Sequence, residues 1–437
     1  MRTASRVWAA LAVLAASPLW GQEKPSPPPV EAPPEPPPPA PPQAPADKPG
    51  EKGGPLTGAG PDGFFIQSET GDYRVQLRGY AQLDGRFFPG EEAGVALDTF
   101  VIRRARPILA GTIAKYFDFA IMPDFGLGTT VLQEAYIDVK YSSKARVRVG
   151  KFKAPVGLER LQSVTVIGFI ERAYPTALVP NRDVGIQIHG DLAGGVVSYA
   201  AGVFDGAPDG GSVDLDVNDG KDFDGRIFLL PFRRGHSALK DLGFGVGGSV
   251  GKQSGPLPAY RSGGQVSILT VLAGITADGT RRRYSPQLYF YSGPFGLMAE
   301  YTQSRSHVLK GSSGTHGELV GKAWQTTATV TLTGEPASFT GVKAKKAWDP
   351  GKGQWGAFEL AARVNGIEFG GEAVRAGLID PTRSVRKAFA WGIGLNWYLN
   401  RNIKQMFDYE RTTFTGGAEE GDRPAENALF IRSQLSF

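Results

Sequence analysis

The sequence predicts an all-β protein, a transmembrane antiparallel β-barrel of about sixteen strands, from three observations. The first is the C-terminus, where Leu429, Ile431, Leu435 and Phe437 share one side of an extended strand while Arg432, Gln434 and Ser436 share the other. A strand with lipid on one face and water on the other reads this way, and a closing aromatic suits the strand that seals a barrel. The second is repetition, since alternating segments of roughly ten residues recur from about Gly63 to the end. The third is the length of the connections, which are long on one side of the predicted barrel and tight on the other.

At the N-terminus Arg2 and Arg6 precede an apolar run from Val7 to about Leu19, with small residues near Gly21. The run is too short to span a bilayer, so residues 1–22 read as a secretory signal peptide. Residues 23–60 are dominated by proline and alanine, including Pro36 to Pro39. Such a segment cannot bury a core and favours polyproline II, so it reads as a disordered periplasmic linker; a proline-rich ligand for a partner is the other reading. The barrel domain is expected over residues 63–437.

Composition narrows the class. The chain has no cysteine, which excludes disulfides and a lipid-anchored N-terminal cysteine. No run of about 20 apolar residues follows the leader, so spanning helices are excluded and a membrane location requires strands. Abundant glycine and aromatics with little histidine or methionine suit twisted strands and tight turns. A formal net charge of +5 gives no reason to expect a nucleic-acid partner.

Along the barrel the clearest strand sets Phe389, Trp391, Ile393, Leu395, Trp397 and Leu399 against Ala390, Gly392, Gly394 and Asn396. Others place Glu134, Asp138 and Lys140 opposite Ala135, Ile137 and Val139, or Glu300 and Thr302 opposite Leu297 and Ala299. Charge on the inner face requires that face to be wet, whereas a soluble β-sandwich buries an apolar one. Long links are expected at Pro89 to Leu97, Ala154 to Arg182, Gly206 to Gly220, Gln253 to Thr280, Ser306 to Val320, Glu368 to Arg383 and Thr415 to Glu426. Opposite links are tight, except Pro231 to Leu242, which is mildly long, and Glu335 to Gln354, where a large turn or a hidden hairpin is expected.

A sixteen-strand barrel leaves an aqueous channel, so a selective one must be narrowed. The link from Ala154 to Arg182 carries Val164, Val166, Ile167, Phe169 and Ile170. A loop this apolar is expected to fold into the lumen; a lid over the mouth is the alternative. Basic residues gather nearby: Arg103, Arg104 and Arg106 on the second strand, Arg146 and Arg148 on the fifth, Lys151 and Lys153 at its end, and Arg160, Arg172 and Arg182 in the loop. Parity places Arg74, Arg78 and Arg86 in the lumen. It places Arg103, Lys151 and Lys153 toward lipid unless a rim or a bulge intervenes. Lumenal arginine either favours anions by replacing part of their hydration or braces the wall against acids such as Asp118, Asp124, Glu134 and Asp138.

Several motifs then fall in order along the barrel: Val149 to Glu159, Ile170-Glu171-Arg172, Arg182 to Gly185, Leu332 to Glu335, Leu395 to Tyr398 and Arg432 to Phe437. In these the chain resembles the phosphate-selective porin O and P family. The resemblance implies a homotrimer of sixteen-stranded barrels with an inward third loop, passing inorganic anions such as phosphate or polyphosphate by diffusion. It implies a constriction at Arg103, Arg104, Lys151 or Lys153, and Arg172, with Asp124 beside them; the pattern of the strands themselves gives a lumen lined by Arg74, Arg78, Arg106, Arg146, Arg148 and Glu134. Outer-membrane lipid, lipopolysaccharide and, through Phe437, the barrel-assembly machinery are the other expected partners. A non-selective diffusion porin, and a structural envelope protein with a barrel anchor and proline-rich tether, are the alternative functions.

Neither cofactor, metal nor catalytic group is expected. The run Asp214, Asp216, Asn218, Asp219, Asp222 and Asp224 lacks the glycine and glutamate spacing of a calcium loop and reads as a solvated outer loop. Of the four histidines, His189 has no evident nucleophile partner in sequence.

Overall fold

The computed structural model describes residues 55–90, 96–216, 218–311 and 313–437; the expected leader and the proline-rich segment through residue 54 lie outside the described residues. Two short strands, β1 (Leu56–Gly60) and β2 (Gly63–Gln67), pair as a hairpin. The wall is then built from β3 (Arg74–Phe87), β4 (Thr99–Ile113), β5 (Phe117–Asp124), β6 (Val131–Ser142), β7 (Ala145–Phe152), β8 (Asp183–Leu192), β9 (Val197–Phe204) and β10 (Asp222–Leu229). It continues through β11 (Asp241–Pro256), β12 (Ile275–Ser292), β13 (Phe295–Lys310), β14 (Thr315–Thr331), β15 (Ala357–Phe369), β16 (Val385–Tyr398), β17 (Ile403–Gly416) and β18 (Glu426–Ser436). Two single-turn helices, α1 (Leu158–Leu161) and α2 (Gly371–Arg375), lie in the third and seventh loops.

From β3 onward each strand is antiparallel to the next, and β18 pairs back onto β3 with Leu435 opposite Ala81, so sixteen strands close into a ring. Closure removes the free edge of the wall. The seam finishes at the last residue: the Phe437 amide donates to the Gly79 carbonyl at 2.9 Å, and the Gly79 amide donates back to Phe437 at 2.8 Å.

The alternation read from sequence becomes the two faces of the wall. On β18 Leu429, Ile431 and Leu435 are exposed on the outer face while Arg432 and Gln434 are buried within. On β16 Phe389, Trp391 and Ile393 face out, and Ala390 and Asn396 face in.

The connections differ from expectation in three places, and of the two readings open for the link around Glu335 to Gln354 the large turn holds. Leu56–Gly60, placed in the linker by composition, is strand β1. The fifth link is shorter than expected, because β11 extends to Pro256 and β12 begins at Ile275. The sixth link, expected over Ser306 to Val320, shrinks to residues 311–314, because Arg305 and His307 on β13 pair in register with Val320 and Glu318 on β14 beyond the apolar belt. The link around Glu335 to Gln354 is a large turn over residues 332–356, whose pairing is limited to a bridge between Asp349 and Gln354.

Toward the loop end the lumen is partly filled. Tyr174 and Leu178 of the third loop, Tyr260, Ile268 and Leu269 of the fifth, and Leu378 and Ile379 of the seventh form one buried apolar cluster against β14 to β17. The Asp-rich fourth loop is fastened to the wall by charge, with Asp209 accepting from Arg283 of β12 at 2.7 Å, and is braced within itself by the Lys221–Asp216 pair.

Beneath the third loop, Arg432 and Asp84 form a fully buried bidentate pair at 2.6 and 2.7 Å. Removing one partner from such a pair leaves an uncompensated charge, at a cost of about 3–5 kcal/mol. Arg432→Leu is therefore expected to lower the temperature at which the barrel loses its compact electrophoretic mobility. Arg432→Leu with Asp84→Leu should recover most of that loss; equal damage in the single and double variants would show that the pair is not the cause.

Candidate pore constriction

The strand β7 carries the chain to the loop end and releases it at Lys153, the first residue beyond the strand. Gly157, at φ 85°, turns the chain inward, and α1 follows. The exposed amides at the start of α1 need acceptors, which Glu300 on the inner face of β13 supplies: Leu158 N donates at 2.6 Å and Glu159 N at 3.2 Å. Gly247 on β11 makes room for this turn, because a Cβ there would lie 3.1 Å from the Pro155 carbonyl oxygen.

The loop then crosses the lumen stapled to the wall by its backbone. Gln434 donates to the Thr165 carbonyl at 3.0 Å, Lys404 to Ile167 at 2.9 Å, Asn396 to Gly168 at 2.9 Å, Arg432 to Ile170 at 2.9 Å and Arg363 to Glu171 at 2.8 Å. Asp408 accepts from the Ile170 amide at 2.5 Å. An irregular segment has no ladder of its own, and the lumenal polar side chains substitute for one. Phe169 fits against Gly392, with the Arg363 guanidinium 4.2 Å from its ring centroid.

Around this loop lie three cavities. Two open toward the tight-turn end, of about 500 Å³ against β6 to β10 and about 480 Å³ against β18, β3 and β4. The third, of about 360 Å³, lies on the loop side. Lys153 is the one residue that lines all three. Its ammonium donates to the Leu161 carbonyl at 3.2 Å and the Gln162 carbonyl at 2.9 Å. Arg172 shares the Gln162 carbonyl at 2.7 Å and also donates to the Glu159 carbonyl. Arg160 donates to Asn181 Oδ1 at 3.1 Å and to the Thr176 carbonyl.

These three cations are held by neutral oxygens; among the described residues none has a carboxylate oxygen within 4.0 Å. Burial and the neighbouring Arg172 and Arg182 cations push the Lys153 ammonium well below the ordinary lysine range, and push Arg160 down to about 9. Burial also lowers Arg172. A guanidinium stays charged at physiological pH, and the Glu159 carboxylate, beyond ion-pair distance, opposes the downward effect of burial on both arginines. Glu171 goes the other way: against the opposing effect of burial, Arg103 and Arg86 hold its carboxyl well below the usual range, each at 3.0 Å.

The expected site residues separate into groups. Arg103 reaches the lumen through a bulge: Gln82 pairs with Arg104 and Leu83 with Ile102, so Arg103 is the extra residue and turns to Glu171. Arg104 donates to Gln82 at 2.7 Å without an acid partner, and both arginines line the loop-side cavity. Asp124 lines it too, accepting from Arg106 at 2.7 Å and from the Ala105 and Gly126 amides. Lys151 does not join them. It sits on the outer row of β7 with Val147 and Val149, buried under the fourth loop and paired with Asp214.

Below the constriction Arg78 lines a cavity with no hydrogen bond or ion pair to a described residue, and Glu134 accepts from Arg182 at 3.2 Å. Arg146, Arg148 and His189 brace Asp138, at 3.2, 2.5 and 3.2 Å. Arg74 lies at the turn end, its guanidinium 4.4 Å from the Phe65 centroid of β2 and donating to Gln67. Strand parity cannot reach Lys343, in the large turn over residues 332–356, and Arg401, in the tight turn between β16 and β17, which line the same cavity as Arg78. Arg160, named from sequence among the basic residues of the loop, directly follows the Val149 to Glu159 motif.

The depressed Lys153 fixes a pH dependence. Its charge is present below its pKa and lost as pH rises through it, so preference for chloride over potassium should begin to fall below the ordinary lysine range. Zero-current potentials in KCl gradients across pH test this, and Lys153→Arg should remove the transition; a transition unchanged by that substitution would assign it elsewhere.

An apolar outer wall, a polar lumen and a constriction built by an inward loop together define an outer-membrane diffusion channel of the porin class, a channel rather than an enzyme. The chain belongs to the phosphate-selective porin O and P family, whose profile matches residues 75–437. It is 25% identical over 403 residues to Porin O of Pseudomonas aeruginosa, covering 82% of this chain and 89% of that protein. In fold it is similar to the outer membrane channel DcaP of Acinetobacter baumannii, with a TM-score of 0.55 at 12% identity over 85% of this chain and 99% of that one. It is similar also to OmpT, an outer membrane protein of Vibrio cholerae, with a TM-score of 0.54 at 11% identity over 84% and 98%.

Proposed function

We propose that this porin prefers small anions and takes phosphate among them, with Lys153, Arg160 and Arg172 replacing part of the anion's water shell at the neck. The observation that carries this reading is the convergence of three lumenal cavities on Lys153, beside two arginines held by neutral oxygens alone. A cation paired directly with a carboxylate offers little to a passing ion, whereas one whose hydrogen bonds go to carbonyl and amide oxygens keeps more of its charge available. The family's phosphate-selective name and the Porin O relative support the choice of ion. Release requires that the site hold its ion weakly, so phosphate should act as a reversible blocker of chloride current.

Arg172→Ala is expected to raise the apparent dissociation constant of that block about tenfold, the equivalent of about 1.4 kcal/mol lost from a charge-assisted hydrogen bond. Phosphate titration in single-channel recordings measures it. Unchanged block in the variant would remove Arg172 from the binding site.

A further inference from the structure

The outer wall over β11 to β14 departs from a smooth apolar belt. Ala299 and Thr326 face each other across β13 and β14 as small residues, with Phe244 and Leu288 beside them and Tyr301 and Trp324 above. Together they line an open, largely apolar groove of about 760 Å³ on the lipid-facing side. Toward the loop end a girdle follows, in which Tyr284 and Tyr301 lie 5.8 Å apart and both donate to Gln303.

Above the girdle the same outward rows carry charge. Arg282 on β12 stands directly opposite Arg305 on β13, and both are exposed. Like charges in a cross-strand pair repel. Arg305 has Glu318 at 3.1 Å, shared with His307 at 3.1 Å, while Arg282 has no ion-pair partner among the described residues. Lys322 and Lys387 flank Glu368 at 3.7 and 3.2 Å on the next strands. The band thus has four fixed cations, Arg282, Arg305, Lys322 and Lys387, against the carboxylates of Glu318 and Glu368. Arg305 lies four residues toward the loop end from Tyr301, about 14 Å at strand rise.

We propose that this face binds one phosphorylated lipid of the outer leaflet, with an acyl chain in the groove and a headgroup phosphate between Arg282 and Arg305. The anion relieves the repulsion of the arginine pair, and guanidinium forks match phosphate geometry. The groove sets the chain below the girdle, where hydrocarbon belongs, and the arginines stand above it at headgroup depth.

Native mass spectrometry of the detergent-purified protein, titrated with diphosphorylated lipid A and with its dephosphorylated form, tests the assignment. The wild-type barrel should take up one lipid with preference for the phosphorylated form. Arg282→Ser with Arg305→Ser should weaken that uptake about tenfold or more and abolish the preference. Ala299→Trp, which fills the groove, should weaken both forms alike, and all variants should keep wild-type conductance, showing intact barrels. Equal uptake of phosphorylated lipid by the arginine variant would overturn the proposal. So would its displacement by an equimolar amount of inorganic phosphate, which would make the pair a free-anion site.

Discussion

Lys153→Glu is expected to lower the ratio of chloride to potassium permeability by at least about tenfold, an estimate from unit charges near 5 Å interacting by roughly 3 kcal/mol at an effective dielectric constant of about 20. The substituted carboxylate would sit beside Arg172, whose partners at the neck are carbonyl oxygens, and would pair with it. Of the three cations at the neck without a direct carboxylate partner, two would thereby cease to act on a passing ion. Lys153→Met should fall between this variant and the wild type, and Lys153→Arg should stay near the wild type in selectivity. Bi-ionic potentials on the four proteins give the order directly; an order that does not follow charge would mean that the neck lies elsewhere.

The second large effect concerns the loop itself. Replacing residues 158–178 with a Gly-Ser segment of equal length should raise single-channel conductance several-fold and erase most of the ion preference. The change removes Arg160 and Arg172 together with the apolar residues that fill the lumen, including Ile167, Phe169, Ile170 and Leu178. The wall groups that hold the loop, Lys404, Asn396, Asp408 and Arg363, would return to water rather than remain buried without partners, so the barrel should survive. Conductance equal to the wild type would show that another element sets the narrowest section.

Much of this architecture is legible in the sequence because a barrel wall obeys a period of two. Leu429 and Ile431 against Arg432 and Gln434 is a local pattern, and it maps directly onto lipid and lumen. The inward third loop is legible for a related reason, as Val164, Ile167 and Ile170 have nowhere apolar to go except beneath the loop, against the inner wall. Register is less legible. The bulge that turns Arg103 inward depends on which residues of β3 oppose β4, and no local signal specifies it. Lys151 and Lys153 have the same parity on paper, yet the strand ends between them, and one goes under the fourth loop while the other reaches the neck. The outer arginine pair of Arg282 and Arg305 likewise requires the pairing of two strands, which neither strand displays alone.

The constriction also illustrates how a lumen rich in arginine can be selective at a few positions. Most of its guanidiniums are committed: Arg106 to Asp124, Arg148 to Asp138, Arg363 to Glu410, Arg432 to Asp84. These pairs brace the wall and position the loop. Of the cations without a carboxylate partner, Lys153, Arg160 and Arg172 stand together at the neck, and the selectivity of the channel is assigned to them.

The most direct measurement is the zero-current potential of the purified protein in a planar bilayer under a KCl gradient. A potential with the sign of chloride selectivity, reduced stepwise by Lys153→Met and Lys153→Glu, is expected. A potential of the opposite sign, or one near zero that these substitutions leave unchanged, would contradict that expectation.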